Sequence, residues 1–377
     1  MTCAQSPRGS PFQGGQAQPA LTCWQPACDE EGTIDSSALI ASYQGLICDL
    51  DGVVYRGPAA VPGAVQTINE VTANDIGVVF ATNNASRTPQ EVAGHLCELG
   101  VRAGHWSVAT SSQAAAAHLA EVLHPGSRVL AVGGPGVGSA LVEAGLTPVR
   151  VEDLAAPAVT PGVQAVVQGL GAQVTWTELA EVGYLVETGL PWVATNLDMT
   201  LPTARGLAPG NGALVELVRR ATGAVPHVVG KPGAALYDLS RARLGTAPTG
   251  TLACGDRLDT DIAGAMAAGL DSLLVLSGIS SLQDAAFVPH SCRPTYVAAD
   301  VAGLLQPAHR LGDAPVDLVE VWPDGSLHVR LDADADQPGV LAAVVGAVWQ
   351  ALDKGRKVSS DPHIWRMLER AVGLQQG

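Results

Sequence analysis

The chain has 377 residues, of which 47% are hydrophobic and only 4% aromatic, so its core has to be built largely from small aliphatic side chains. That composition suits layered helices and sheets better than an aromatic-rich sandwich. With 21 Lys and Arg against 36 Asp and Glu, the net charge is −15 and no basic run occurs, which argues against nucleic acid or an anionic membrane as the main partner but leaves room for a small anion at a locally positive site.

The first forty or so residues are rich in Gln, Pro, Gly and Ser and show no sustained period. They predict a disordered tail over 1–44. No basic head precedes an apolar run, so this is not a secretory signal. The seven cysteines (Cys3, Cys23, Cys28, Cys48, Cys97, Cys254 and Cys292) are odd in number and scattered. They do not read as a disulfide framework and point to a reducing cytoplasm.

From Gly45 the pattern changes. "LICDL" reads as a strand, "GAVQTINEVTAND" as a helix, "IGVVFAT" as a strand and "TPQEVAGHLCELG" as a helix. Next come a strand at "RVLAVG", a helix around "GSALVEAG", and strands at "VQAVVQGL" and "PWVATN". "GALVELVRRATG" and "GAALYDLSRARLG" are helical, and "GTLACGD" and "SLLVLSG" are strands. Alternation of this kind implies right-handed crossovers and a largely parallel sheet, which binds ligands at the carboxyl ends of its strands. Asp49, Thr82 and Asp256 each stand at such an end.

After Gln306 the style changes again. "VDLVEVWPDGSLHVRL" predicts a hairpin turning at Pro323-Asp324-Gly325, with two helices after it. This unit, over 312–377, is marginal in size for independent folding. Its apolar run "VLAAVVGAVWQAL" is too short to span a bilayer. A soluble, cytoplasmic protein is expected, and a homo-oligomer is left open.

The chemistry concentrates in four places. Asp49 and Asp51, two apart on an extended segment, project to one side. "ATNNAS" offers the Thr82 hydroxyl and the amides of Asn83 and Asn84 at a strand end, where an anion cradle can form. Lys231, between an apolar strand and a Gly/Pro turn, supplies a point charge for a phosphate. Asp256, Asp259 and Asp261 in "ACGDRLDTDIAGAMAAG" exceed what a helix cap requires, and a hard cation such as Mg²⁺ explains the excess.

The order DLDGVV, TNN, GKP, GDRLDTD resembles the four motifs of the haloacid dehalogenase superfamily of aspartate-nucleophile phosphatases. The Thr-Asn-Asn motif and the long insertion before Lys231 resemble its NagD/nitrophenylphosphatase-like branch, with a type IIA cap. The chain as a whole is most similar to the actinobacterial glycerol-3-phosphate phosphatases. The resemblance implies an α/β fold: a Rossmann-like core over 45–111 and 224–306, an inserted α/β cap over 112–223, and a small C-terminal α+β unit over 312–377.

It also implies roles. Asp49 attacks phosphorus, and Asp51 protonates the leaving alkoxide and then activates water. Mg²⁺ is held by Asp49, the carbonyl of Asp51 and Asp256, with Asp261, favoured over Asp259, near the metal. Thr82, Asn83, Asn84 and Lys231 bind the transferred phosphoryl group. Asn196, Asp198 and Arg205 are the candidates for substrate choice by the cap. The expected partner is a small phosphorylated metabolite, glycerol 3-phosphate first. A sugar phosphate, nucleoside monophosphate, phosphoglycolate or pyridoxal phosphate is the alternative, and a phosphorylated sensor is a different class that Asp51 argues against.

Three other features carry less. Gly134, Gly136 and Ser139 in "VLAVGGPGVGSALVEAG" give Gly-x-Gly-x-x-Ser with no P-loop lysine, which suggests a structural turn rather than a nucleotide site. Asp332, Asp334 and Asp336 have Ca²⁺-loop spacing, but Gln337 replaces the turn glycine and Ala343 the bidentate Glu. Cys48 and Cys254 should sit on neighbouring strands as two small buried hydrophobes, with an oxidisable pair as the alternative.

Overall fold

The computed structural model describes residues 33–153, 162–203, 205–312, 319–329 and 336–374. A six-stranded parallel sheet runs, by strand, Tyr296–Ala298, Asp271–Val275, Thr251–Gly255, Gly45–Cys48, Gly77–Thr82 and Trp106–Thr110. The central strand "GLIC" is buried at every position, as a parallel strand covered on both faces must be. Leu46 and Cys48 pack with Phe80, Ile68 and Leu96 on one face. Ile47 packs with Val79, Ala253 and Leu236 on the other. Period-two alternation therefore feeds two separate apolar layers.

The insertion builds a second parallel sheet of five strands: His227–Val228, Trp192–Ala194, Val163–Gln168, Arg128–Val132 and Thr147–Val149. Helices Trp176–Glu187 and Asn211–Thr222 cover one face, where Leu179 and Val182 meet Val215 and Val218. The other face shares an apolar layer with the first sheet through Val129, Ala131, Val167 and Leu119. The edge strand His227–Val228 lies beyond residue 223, where the cap was expected to end. A small antiparallel pair, Thr200–Thr203 with Gly206–Pro209, projects from this unit.

The tail expectation is corrected at its end. Residues 33–44 carry a short turn, Leu39–Ser42, whose Leu39 and Ile40 are buried in the first core. The Tyr43 hydroxyl donates to Asp271 at 2.8 Å and lies 3.2 Å from the Tyr296 hydroxyl. Three apolar anchors thus outweigh the polar composition of the segment. Residues 1–32 lie outside the described residues. Cys48, Cys254 and Cys292 are free.

The C-terminal hairpin pairs Val319–Val321 with Leu327–Val329, and Gly325 takes φ 89° in its turn. Helix Gln337–Asp353 is buried on nearly every side. It packs on helix Leu282–Phe287 and strand Tyr296–Ala298 of the main unit, and the Trp349 indole donates to the Ala285 carbonyl at 3.0 Å. Helix Pro362–Ala371 adds Trp365 to the same layer. The unit therefore shares a core with the main body. Among the described residues no helix is long and apolar enough to cross a membrane.

Candidate active site

Strand Gly45–Cys48 is extended by one ladder bond, from the Asp49 N–H to the Cys254 carbonyl at 2.8 Å. The chain then turns. The Leu50 carbonyl accepts from Val54 and Tyr55, at 2.9 and 3.1 Å, and Gly52 takes φ 84°. Leu50 is fully buried beneath the turn, which leaves Asp49 and Asp51 at the cleft. Asp49 is buried and Asp51 is solvent-exposed. The two carboxylates therefore share a side but not an environment. Burial nevertheless pushes the Asp51 carboxyl above its ordinary value, against Lys231, Arg87 and His95.

Lys231 lies just before the cis Lys231–Pro232 peptide. Its Nζ pairs with Asp49 and lies 2.7 Å from Asp261, and it donates to the Ala81 carbonyl at 3.1 Å. Burial pulls the ammonium down, but Asp261 and Asp49 outweigh burial and hold it well above its ordinary value. For Asp49, burial pushes the carboxyl up and Lys231 opposes, while Asp261 and Asp256 push further. Burial and the neighbouring Asp261 raise Asp256 to about 7, although its Oδ2 accepts from the Ile279 N–H at 2.7 Å.

One oxygen from each of Asp49, Asp256 and Asp261 lies within 4.8 Å of the others. Burial, with a single lysine facing three carboxylates, pushes the Asp49 and Asp256 carboxyls up. A hard divalent cation fits such an oxygen donor set. The Asp256 carboxylate is packed against two glycines: a Cβ on Gly278 would fall 1.9 Å from Asp256 Oδ2, and one on Gly52 would fall 2.4 Å from the same atom.

The acidic loop separates two roles. Asp259 is engaged by Arg257 through Nε and Nη2, at 3.1 and 2.9 Å. Asp261 sits on the widened turn Leu258–Ile262, where its Oδ2 accepts from the Arg257 N–H at 3.1 Å and its carbonyl accepts from Tyr237 at 2.8 Å. Of the two, only Asp261 reaches Lys231.

Thr82, Asn83 and Asn84 all line the cleft. Thr82 Oγ1 accepts from the Asn84 N–H at 3.0 Å. Asn84 Oδ1 accepts from the Ser86 N–H and hydroxyl, at 3.0 and 2.6 Å. The Asn83 side chain turns inward: Oδ1 accepts from the Lys231 N–H at 2.8 Å and Nδ2 donates to the Lys231 carbonyl at 3.0 Å.

Two of the cap candidates come to the same place. Asn196 Nδ2 donates to the Asn83 carbonyl at 2.7 Å, and its Oδ1 accepts from the Asp198 N–H at 3.1 Å. The Asp198 carboxylate accepts from Asn83 Nδ2 at 3.3 Å. Burial raises Asp198, while Asn83, Lys231 and Arg257 hold it down. Arg205 is exposed in the turn of the projecting hairpin, away from the cavity lining. Sequence reasoning passed over Arg56, Leu170, Leu201, Asn211, Arg257 and Ile279, which complete a cavity of about 480 Å³ between the two sheets. Only Arg257, inside GDRLDTD, carried a signal that could have found it.

The weaker motifs find structural places. A Cβ on Gly134 would lie 2.4 Å from the Ser86 carbonyl oxygen, and one on Gly136 would lie 2.3 Å from that of Arg87. These glycines let helix Pro135–Glu143 approach the loop after Thr82. Asp336 caps helix Gln337–Asp353 through the Gly339 N–H at 2.7 Å, and Asp332 and Asp334 lie outside the described residues. Cys48 and Cys254 are neighbours in register, and the Cys48 thiol donates to the Asp49 carbonyl at 3.1 Å.

Comparison with known proteins places the chain in a family. Two family models match, a haloacid dehalogenase-like hydrolase over residues 46–147 and a HAD-hydrolase-like model over 228–304. The D-glycerol 3-phosphate phosphatase of Mycobacterium tuberculosis is 44% identical over 324 residues, 83% of this chain and 88% of the relative. An acid sugar phosphatase of Staphylococcus epidermidis is 34% identical over 259 residues, 69% of this chain and 95% of the relative. The crystal structure of a glycerol phosphate phosphatase from Mycobacterium tuberculosis in complex with magnesium superposes with a TM-score of 0.76 at 38% identity, covering 90% of this chain and 99% of that one. The chain belongs to the haloacid dehalogenase-like hydrolases.

Proposed function

We propose that this protein is a magnesium-dependent phosphoric monoester hydrolase that acts on a small polyol phosphate, glycerol 3-phosphate first, through an aspartyl-phosphate on Asp49. The carrying observation is a buried carboxylate, Asp49, paired with a buried lysine in the lining of one cleft, with a second carboxylate exposed two residues on. Burial pushes the Asp49 carboxyl well above its ordinary value, and the Lys231 charge opposes that push.

An Asp49 oxygen attacks phosphorus, and the bond from phosphorus to the ester oxygen breaks. Asp51, raised by burial and so able to carry a proton, gives it to the departing alkoxide. The same carboxylate then takes a proton from an entering water, which attacks the aspartyl-phosphate and releases inorganic phosphate. Lys231, Thr82 and Asn84 line the cavity, and Lys231, the Thr82 hydroxyl and Asn84 would stabilise the transferred group. Asp49, Asp256 and the Asp51 carbonyl would hold the cation, with Asp261 beside it. When bound, Mg²⁺ supplies charge neutralisation between carboxylate and phosphate.

The polyol reading is supported by the name of the mycobacterial relative. The staphylococcal relatives, named acid sugar phosphatases, support a second reading of the same chemistry on a sugar phosphate. Phosphate release from a panel of glycerol 3-phosphate, sugar phosphates, nucleoside monophosphates, phosphoglycolate and pyridoxal phosphate, with Mg²⁺ and with EDTA, separates them. Magnesium-dependent release fastest for glycerol 3-phosphate is expected, and a preference for another ester would overturn the substrate assignment.

A further inference from the structure

Asn83 touches the core and the cap at once. Its amide closes a two-bond ring with the backbone of Lys231, Oδ1 accepting at 2.8 Å and Nδ2 donating at 3.0 Å. The amide orientation is dictated by its partners. Nδ2 faces a carbonyl and a carboxylate, and turning the amide over would set Oδ1 against two acceptors. The pairing fixes the lysine's peptide, and with it the origin of the side chain that ends between Asp49 and Asp261.

The cap holds the same residue. Asp198 accepts from Asn83 Nδ2 through both oxygens, at 3.3 and 3.5 Å. Asn196 grips the Asn83 carbonyl at 2.7 Å and receives the Asp198 N–H at 3.1 Å, so the two cap residues form one unit. The joint leaves no slack: a Cβ on Gly230 would fall 2.2 Å from the Thr195 carbonyl oxygen and 2.7 Å from Asn83 Oδ1.

We propose that Asn83 is a positioning residue that couples the seated cap to the catalytic lysine, with Asp198 as the cap's half of the coupling. Asp198 then acts on turnover through Asn83 rather than by gripping the substrate. The inference rests on the phosphatase reading of Asp49 and Lys231, and not on which ester is cleaved. When the cap is lifted, Nδ2 loses one of its two acceptors, and the amide is freer to leave the Lys231 peptide.

The test is a double-mutant cycle of Asn83→Ala, Asp198→Ala and the pair, with kcat and KM read on a chromogenic aryl phosphate and on glycerol 3-phosphate. Asn83→Ala is expected to lower kcat about 100-fold and Asp198→Ala about tenfold, on both substrates, with KM within about twofold of wild type. The double variant should be no slower than Asn83→Ala alone, because both act through one joint. Asp198→Asn, which keeps an acceptor for Nδ2, should restore kcat to within about threefold.

Losses that multiply in the double variant would overturn the coupling. So would an Asp198→Ala variant with raised KM and unchanged kcat, which marks a substrate contact. If Asn83→Ala does not fold, the pair Asp198→Ala and Asp198→Asn decides on kcat alone. Failure of the polyol reading shows separately, as a wild type that cleaves the aryl phosphate but prefers another natural ester.

Discussion

Lys231 Nζ lies 2.7 Å from Asp261 and pairs on its other side with Asp49, so one buried ammonium holds two buried carboxylates. Removing one partner of a buried ionic group leaves the others uncompensated, which costs about 3–5 kcal/mol. Lys231→Met should therefore lower the stability of the metal-free protein by that order and lower kcat at least about 100-fold through loss of charge at the transferred group. Urea unfolding in EDTA and steady-state kinetics check the two parts.

Metal binding should depend on pH in a defined direction. The Asp256 carboxyl is raised from an ordinary 3.8 to about 7 in the metal-free fold, by burial and by Asp261. A raised folded value means the native state holds a proton that the unfolded chain has released. The corresponding stability is fully present below pH 3.8 and is lost as pH rises through 7. Mg²⁺ competes with that proton. The rise in Tm on adding Mg²⁺ should therefore grow between about pH 6 and pH 8, and Mg²⁺ uptake should release protons. Thermal melts with and without Mg²⁺ across this range, and proton release into weak buffer, measure both.

Gly278 is a packing requirement of Asp256. A Cβ there would lie 1.9 Å from Oδ2 and 2.4 Å from the Asp256 Cβ, so Gly278→Ala must push the carboxylate off the Ile279 N–H. The expected outcome is an apparent Mg²⁺ affinity lowered at least about tenfold, the scale of a disturbed ligand shell. A titration of activity with Mg²⁺ reads it.

The C-terminal unit should act as part of the main core. Leu341 is fully buried in the layer that also contains Leu282 and Val297. Leu341→Ala should cost about 2–5 kcal/mol in urea unfolding and leave kcat near wild type at 25 °C. Two separated unfolding transitions would contradict the shared core.

Much of the fold was legible because its strands are unbroken apolar runs that end in chemistry. "GLIC", "VVFAT" and "TLACG" each deliver a polar residue to the cleft. Helix Ser111–Val122 was passed over because "SSQAAAAHLAEV" shows no amphipathic stripe; its first turns are buried on most sides. The ordered stretch before Gly45 was hidden by the polar composition around Leu39, Ile40 and Tyr43. At the site, the order of the four motifs in the sequence already groups Asp49, Lys231, Asp256 and Asp261. The inward turn of Asn83 could not be read, because its partners Lys231 and Asp198 stand 148 and 115 residues away. Arg205 was drawn in by its neighbours in the sequence, and the hairpin carries it outward.

The central claim is that Asp49 carries the phosphoryl group. The direct measurement is rapid acid quench of the protein turning over glycerol 3-phosphate with Mg²⁺, followed by mass analysis of the peptide containing Asp49. Given an aryl phosphate instead, whose departing phenolate needs no proton from Asp51, Asp51→Asn should accumulate the phosphorylated peptide because water is no longer activated. One phosphoryl group on Asp49 in that variant, and none in Asp49→Asn, is the predicted result. Phosphate release with no trapped group on Asp49 in either protein, or turnover that survives Asp49→Asn, would contradict the mechanism.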